Sequence, residues 1–351
     1  MKIYLTIWLA LMSMSVCAVP VKVAFVYVSP AGDAGWSYSH ELARQYVAHT
    51  FGDSIETHMV ESVPEGRQAR DVIADLAKEN DIVFTTSWGY MIPTARIAQQ
   101  YPNVKFEHAT GMRRGDNLST YATRAYQARY LSGIIAAAMS KTERLGYVAA
   151  HPIAEVIRGL NAFTLGAQSV TPRIKVEVQW TNAWYAPAKS EALTHALIDG
   201  GADVIAHHVD TPTPVQVAQS RGVYAIGYHT DMSEFGPNSH LVSVVHDWGQ
   251  IYASRIQSVI DNTWSPKDLW PGLKQNTSHL ASINTSVPKQ VLAKVEDAAN
   301  AIKEDSFNIF SGPISNHRSR LRVREGEALN DTQLLRMDWY VEGVEGDLRF
   351  F

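Results

Sequence analysis

Short apolar runs alternate with amphipathic segments along most of the chain. Residues 21–28 form a run of β-branched and aromatic side chains that is typical of a buried strand. In residues 71–80 the apolar positions fall on one helical stripe, and a second strand-like run follows at residues 81–87. Strands separated by helices indicate βαβ units and parallel sheets, so the pattern predicts an α/β fold.

The same order of elements is repeated further along the chain. The strand-like runs DIVF and DVIA begin at Asp81 and Asp203, an offset that favours an internal duplication into two related α/β lobes. The alternative is that the similarity reflects only the regular alternation of strands and helices that any doubly wound chain shows. In the second copy we predict strands at 145–150, 175–180, 202–208 and 223–228, and helices at 154–167 and 188–198.

Open parallel sheets bind ligands beyond the carboxyl ends of their strands. Two lobes of this kind therefore predict parallel sheets flanked by helices, with a ligand cleft between the lobes. The residues that follow the predicted strands are the candidates to line that cleft.

Composition narrows the class of protein. The chain has 351 residues, of which 46% are hydrophobic and 19% charged, the profile of a globular protein with about two domains. The 31 basic residues do not exceed the 35 acidic ones, so no excess of positive charge exists to neutralise nucleic-acid phosphates. We therefore expect no nucleic-acid partner.

The first 18 residues have the pattern of a secretory signal peptide. A basic residue, Lys2, precedes an apolar stretch, and small residues at Val16 and Ala18 predict cleavage after Ala18. A lipoprotein anchor at Cys17 is the disfavoured alternative, because Val16 stands where such sites usually carry Gly, Ala or Ser. We expect a periplasmic protein whose mature chain has no cysteine, hence no disulfide.

Aromatic residues cluster after the predicted strands. Each one separately is explained by packing between lobes, but as a set they favour stacking against a flat ligand, an interaction worth about 1–3 kcal/mol per base. Two rings facing each other across a closing cleft would hold a planar heterocycle. The set comprises Trp36, Trp88, Tyr90, Trp184, Tyr185 and Tyr228.

Acidic residues after strands are the second candidate group. Asp231 can accept two hydrogens from sugar hydroxyls or from a purine amine. Asp33 is either a ligand contact or the cap of a helix that begins near Ser37. Adjacent strand residues point to opposite faces, so His207 and His208 do not form a metal pair, and we expect no metal site.

Catalytic signatures are absent from the chain. No GxGxxG, P-loop, GxSxG or HExxH motif occurs, so the sequence favours a binding protein without a cofactor over an enzyme.

Ordered motifs over nearly the whole mature chain resemble the basic membrane protein family of ABC-transporter substrate-binding proteins, which includes purine-base and purine-nucleoside receptors. They include VAFVYVSPAGDAGWSYSHELAR, TTSWGYMIPTARIAQQYPNVKFEHATG, TNAWYAPAKSEALTHALIDGGADVI and GVYAIGYHTDM. The resemblance implies the two-lobed type I periplasmic binding fold, in which the chain crosses between lobes three times. We place lobe one at 19–123 and 247–285, and lobe two at 124–246 and 286–351.

By position, the resemblance also implies ligand contacts. Trp36 and Trp184 correspond to the two aromatics that sandwich the base, and Asp231 corresponds to an acid that contacts ribose. One departure matters: Ser37 stands where nucleoside-binding members commonly have Asn. Four further positions, which resemble those that wall the pocket, are Trp88, Tyr90, His108 and Gln127.

These observations predict an extracytoplasmic, monomeric receptor that captures a purine base (adenine-like) or a purine nucleoside and delivers it to the membrane permease of an ABC importer. Two alternatives stay open: a ligand sensor that docks on a signalling partner, and a hydrolase that cleaves nucleosides.

Overall fold

The computed structural model describes residues 19–348. The predicted signal peptide, with Cys17, lies outside the described residues. Fifteen strands occur in this range: β1 (Val21–Val26), β2 (Ile55–Val60), β3 (Ile82–Thr85), β4 (Lys105–Ala109), β5 (Leu118–Tyr121), β6 (Arg144–Ala149), β7 (Lys175–Trp180), β8 (Val204–His208), β9 (Tyr224–His229), β10 (His240–His246), β11 (Asp268–Leu269), β12 (Ser278–Ala281), β13 (Ile314–Ser315), β14 (Leu321–Val323) and β15 (Val344–Glu345).

Ten α-helices connect and flank the strands of residues 19–348. None of these helices combines the length and apolar character that crossing a membrane requires. They are α1 (Trp36–Phe51), α2 (Arg67–Ala77), α3 (Met91–Gln100), α4 (Ala125–Met139), α5 (Ala154–Gln168), α6 (Pro187–Asp199), α7 (Thr213–Arg221), α8 (Gly249–Ile260), α9 (Lys289–Lys303) and α10 (Asp331–Leu335).

Two sheets define two lobes. The first has the order β11-β5-β4-β3-β1-β2 and is parallel throughout, and the second has the order β12-β10-β9-β8-β6-β7-β15, in which only β12 is antiparallel. The order β5-β4-β3-β1-β2 in one sheet matches β10-β9-β8-β6-β7 in the other, which fits the duplication expected from the sequence. The prediction of two α/β lobes with parallel sheets is confirmed.

Helix α8 belongs to the first lobe although it follows the strands of the second. Tyr252 of α8 packs on Phe84 of β3 with ring centroids 4.3 Å apart. The Nε atom of Arg255 lies 2.5 Å from the carboxylate of Glu107 on β4, and both side chains are buried. Burying two opposite charges together fixes α8 against this sheet, because either charge alone would be costly there.

The chain crosses between lobes after β5, after β10 and after β11. The third crossing corrects the boundary that we expected at residue 285. Strand β12 already pairs with β10 in the second sheet, so the chain returns between Leu269 and Ser278. The return is not visible in the sequence because the deciding strands, β11 and β12, have two and four residues.

Candidate functional site

A narrow cavity lies where the carboxyl ends of the two sheets meet. Its volume is about 20 Å³, which is room for about one water molecule, so a larger ring fits only when the lobes move apart. Both lobes contribute to its wall. The lining residues are Val28, Trp36, Thr86, Ser87, Trp88, Thr110, Glu155, Trp184, His208, Asp210 and His229.

Trp36 enters the cavity from the first lobe as the first residue of α1. Its indole Nε1 donates a hydrogen bond to the carbonyl oxygen of Thr86 at 2.5 Å. The ring also meets His40 and Trp248 edge to face, with centroids 4.5 and 5.4 Å away. The indole plane is therefore held by the protein on several sides.

Trp184 enters from the second lobe, on the loop between β7 and α6. Its Nε1 donates to Glu65 of the first lobe at 3.1 Å, and the same carboxylate accepts from the Ser87 hydroxyl at 2.5 Å. The structure thus brings the two predicted aromatics to one cavity from opposite lobes. Trp88, which is 41% exposed, stands at the edge of the same cavity.

Asp210 follows β8 and connects the lobes directly. Its carboxylate accepts hydrogen bonds from the Ser29 hydroxyl, from the Ser37 hydroxyl at 3.1 Å and from the Ser37 backbone N–H at 3.3 Å. Beside it, the backbone N–H of Gly35 donates to the Thr230 hydroxyl at 3.2 Å. Burial raises the pKa of Asp210 to about 6, although these hydrogen bonds favour the ionised form.

Two cavity histidines are held neutral. Burial, with the nearby Arg129 guanidinium and His246 as further contributions, lowers the pKa of both His208 and His229 well below its ordinary value. The Arg129 guanidinium lies 3.4 Å from the centre of the Tyr228 ring. The Nδ1 atoms of both histidines are buried without a hydrogen-bond partner, so the wall carries unsatisfied polar atoms.

Within residues 19–348, no cluster of three or more histidine, cysteine or acidic side chains has an arrangement that could hold a metal ion.

A family model for PnrA-like ABC transporter substrate-binding proteins, the Bmp family, matches residues 20–310. The chain belongs to the Bmp family. A Brucella abortus protein named as a purine-binding protein is 42% identical over 329 residues, 93% of this chain and 94% of the relative. A Haloferax volcanii protein with the provisional name of ABC transporter glucose-binding protein is 35% identical over 328 residues, 93% of this chain and 81% of the relative.

Solved structures show the same fold. An ABC transporter solute-binding protein from Aeropyrum pernix aligns with a TM-score of 0.74 and 17% identity, covering 84% of this chain and 94% of that one. The predicted class, a two-lobed solute-binding fold in a family of ABC transporter substrate-binding proteins, is therefore confirmed.

Two positions that the Bmp-family resemblance assigned to the pocket wall lie behind the cavity. Tyr90 is fully buried in the first lobe, and its hydroxyl donates to the Val63 carbonyl at 2.5 Å. Burial lowers the pKa of His108 to about 4, so its ring is neutral and its Nε2 donates to the Ser87 carbonyl at 2.8 Å. Both residues support the loop that carries Ser87 and Trp88 instead of lining the cavity.

The other three predicted contacts of this Bmp-family chain lie elsewhere, which corrects their assignment to the site. Gln127 accepts from the Leu273 backbone N–H at 2.9 Å, beside the third crossing. Asp231 is exposed and accepts from the hydroxyl of Ser282. Asp33 is also exposed, and it does not cap α1, because the capping position is Gly35, which has no side chain.

The sequence analysis did not select two acids of the cavity as site residues. Asp210 was visible only as a residue that follows a strand, and Glu155 lies in the first turn of α5, outside the strand ends. Burial raises the pKa of Glu155 to about 7, and the Arg158 guanidinium opposes that effect. Glu155 could have been identified from its position just after the loop that follows β6.

Proposed function

We propose that this protein is an extracytoplasmic receptor of an ABC importer that captures a purine base, adenine-like, or a purine nucleoside. Substrate-binding proteins of ABC importers act outside the cytoplasm. The observation that carries the proposal is that Trp36 and Trp184, from opposite lobes, line one cavity. The 42% identity to a relative named as purine-binding supports the same ligand class.

The cavity has the features that a purine needs. Flat indole rings offer stacking surfaces on which any base gains about 1–3 kcal/mol. Neutral His208 and His229, each with an unsatisfied ring nitrogen, can exchange hydrogen bonds with the heteroatoms of the base. A sugar offers hydroxyls for the same nitrogens but gains less from two tryptophan faces.

Closure follows from this geometry. A ligand held between Trp36 and Trp184 contacts both lobes at once, so binding favours the arrangement in which the lobes are close. The direct contacts between Asp210 and the serines of the first lobe stabilise that same arrangement. The closed surface is what we propose the membrane permease recognises.

Isothermal titration calorimetry and thermal shift with adenine, hypoxanthine, adenosine, inosine and glucose test the proposal. A purine at 100 times its Kd should raise the free energy of unfolding by about 2.7 kcal/mol. Glucose belongs in the panel because of the provisional name of the Haloferax relative. Stabilisation by glucose alone would overturn the purine proposal and leave the receptor class standing.

The same panel separates the alternatives. Incubation with adenosine, followed by chromatography for free adenine, detects a nucleoside hydrolase; release at a catalytic rate would contradict a receptor. Delivery to a permease, as opposed to a signalling partner, is tested by purine uptake in cells that carry or lack the gene. Normal uptake without the receptor would favour sensing.

A further inference from the structure

Glu155 is a cavity-lining acid whose carboxylate has no hydrogen bond to any residue that the structure describes. The other acid of the cavity, Asp210, is engaged by Ser29 and Ser37. Glu155 lines both the narrow cavity and a larger outer cleft of about 620 Å³ between the lobes. Glu155 therefore shares the narrow cavity with Trp36 and Trp184 and borders the outer cleft as well.

The position is built into the fold. Glu155 is the second residue of α5, where the free backbone N–H groups of the helix favour an acidic side chain. One turn further on, the Arg158 guanidinium donates to the Leu334 carbonyl at 2.7 Å. Arg158 lines the outer cleft with Glu155 but not the narrow cavity, and no hydrogen bond joins the two side chains in the part of the chain that the structure describes. Thus Arg158 faces Glu155 but leaves its carboxyl oxygens available to a ligand.

Resting on the proposed function, we propose that the carboxyl group of Glu155 reads the hydrogen-bonding edge of the bound purine and so determines which base the receptor prefers. A protonated carboxyl offers one donor and one acceptor, which matches the amino group and neighbouring ring nitrogen of adenine. An ionised carboxylate offers acceptors only, which matches the two adjacent N–H donors of guanine.

Burial raises the pKa of Glu155 to about 7, from an ordinary value near 4. Below pH 7 the protonated form of Glu155 predominates, so adenine should bind more tightly than guanine. Above pH 7 the ionised form predominates, so the affinity for guanine should rise and the affinity for adenine should fall. Arg158 and Tyr228 interact electrostatically with Glu155. The other titratable or charged groups that line the cavity or the outer cleft with it are Glu65, Arg114, His151, His208, Asp210, His229, Asp268, Arg336 and Asp338.

Several of these groups have their interactions or charge fixed by their surroundings. Arg114 pairs with Asp268 at 2.7 Å, and His208 and His229 stay neutral. Burial raises the pKa of Asp210 to about 6, but its carboxylate is engaged by Ser29 and Ser37 of the first lobe. Only a group that exchanges hydrogen bonds with the base edge shifts the two affinities in opposite directions.

The test measures the affinities for adenine and guanine, and for adenosine and guanosine, at pH 6, 7 and 8. The wild-type ratio of adenine to guanine affinity should fall at least tenfold from pH 6 to 8. In Glu155→Gln, the amide always offers one donor and one acceptor, so adenine should bind at every pH and guanine should bind at least tenfold more weakly than in the wild type at pH 8.

The matched control is Asp338→Asn, which neutralises an exposed acid of the outer cleft that does not line the cavity. It should keep the wild-type ratio and its pH dependence. An unchanged ratio in Glu155→Gln would overturn the inference and leave purine binding intact, whereas the absence of any purine binding to the wild type would refute the proposed function itself. If Glu155→Gln does not fold, the wild-type pH series decides alone: a constant ratio refutes the inference.

Discussion

The carboxylate of Asp210, at the end of β8, accepts both the hydroxyl and the backbone N–H of Ser37 in the first turn of α1. These residues are 173 positions apart and belong to different lobes. The helix that presents Trp36 to the cavity is therefore tied, one residue later, to the opposite lobe. The first turn of α1 therefore lines the cavity through Trp36 and joins the lobes through Ser37.

Gly35 makes this close approach possible. Its φ of +100° favours glycine, and a Cβ atom there would stand 2.1 Å from Oδ1 of Asp210. We predict that Gly35→Ala separates the lobes and weakens purine binding at least tenfold, as measured by calorimetry, with a larger radius of gyration in solution scattering.

Gly32→Ala is the matched control for that substitution. Gly32 lies in the same loop with a φ of +57°, but its Cβ would approach only the Pro30 carbonyl, at 4.0 Å. Its positive φ also strains an alanine, and no contact between lobes is affected. Equal losses of affinity in Gly32→Ala and Gly35→Ala would show that loop strain, not the approach to Asp210, is responsible.

Lobe closure should depend on pH through Asp210. The pKa of this carboxyl is raised to about 6, above its ordinary value near 4, so the closed arrangement binds the proton more tightly than the separated one. Closure is therefore favoured at pH 5 and loses that contribution as the pH rises through 6. Solution scattering at pH 5 and 8 should show greater separation at pH 8.

Asp210→Asn should abolish most of this change, because an amide does not titrate. The comparison is made in the Glu155→Gln background, since Glu155 also titrates in this range. A pH response of the same size with and without Asp210 would assign the effect to another group.

Trp184→Ala should weaken purine binding by roughly 1–3 kcal/mol, through the loss of one stacking face. Tyr185→Ala is the control: it removes the neighbouring ring, which is 48% exposed and does not line the cavity. Calorimetry should show unchanged affinity for the control. Trp36 is better tested as Trp36→Phe, because its ring also packs against His40 and Trp248.

The buried pair of Arg255 and Glu107 should determine stability without affecting the ligand. Glu107→Gln leaves a buried guanidinium without its counter-charge, a change that typically costs about 3–5 kcal/mol. Chemical denaturation should show this loss in the free energy of unfolding. Asp75→Asn, at the exposed pair with Lys78, is the comparison and should leave the free energy of unfolding nearly unchanged. Similar losses would mean that the buried pair is compensated by other contacts.

Much of the fold was predictable because it is encoded over short distances in the chain. Strand and helix periods, the βαβ rule and the aromatics after strands all act within about 20 residues. They predicted two lobes with parallel sheets and a set of aromatics between them, to which Trp36 and Trp184 belong. The weak elements were not predictable: β11 and β12 are too short for a period to be recognised, and they alone decide where the third crossing lies.

The sequence by itself determined the α/β class, the two related lobes and the aromatic character of the residues that follow the strands, because local patterning sets all three. Only the tertiary structure decided which polar side chains reach the cavity. Asp210 and Asp231 both follow strands, but they lie in different surroundings. The chain turns at His229, which has a φ of 72°, and Asp231 contacts Ser282 on the surface. Asp210, in contrast, accepts a hydrogen bond from Ser37 of the first lobe. That choice depends on contacts between residues far apart in the chain, which no local pattern contains.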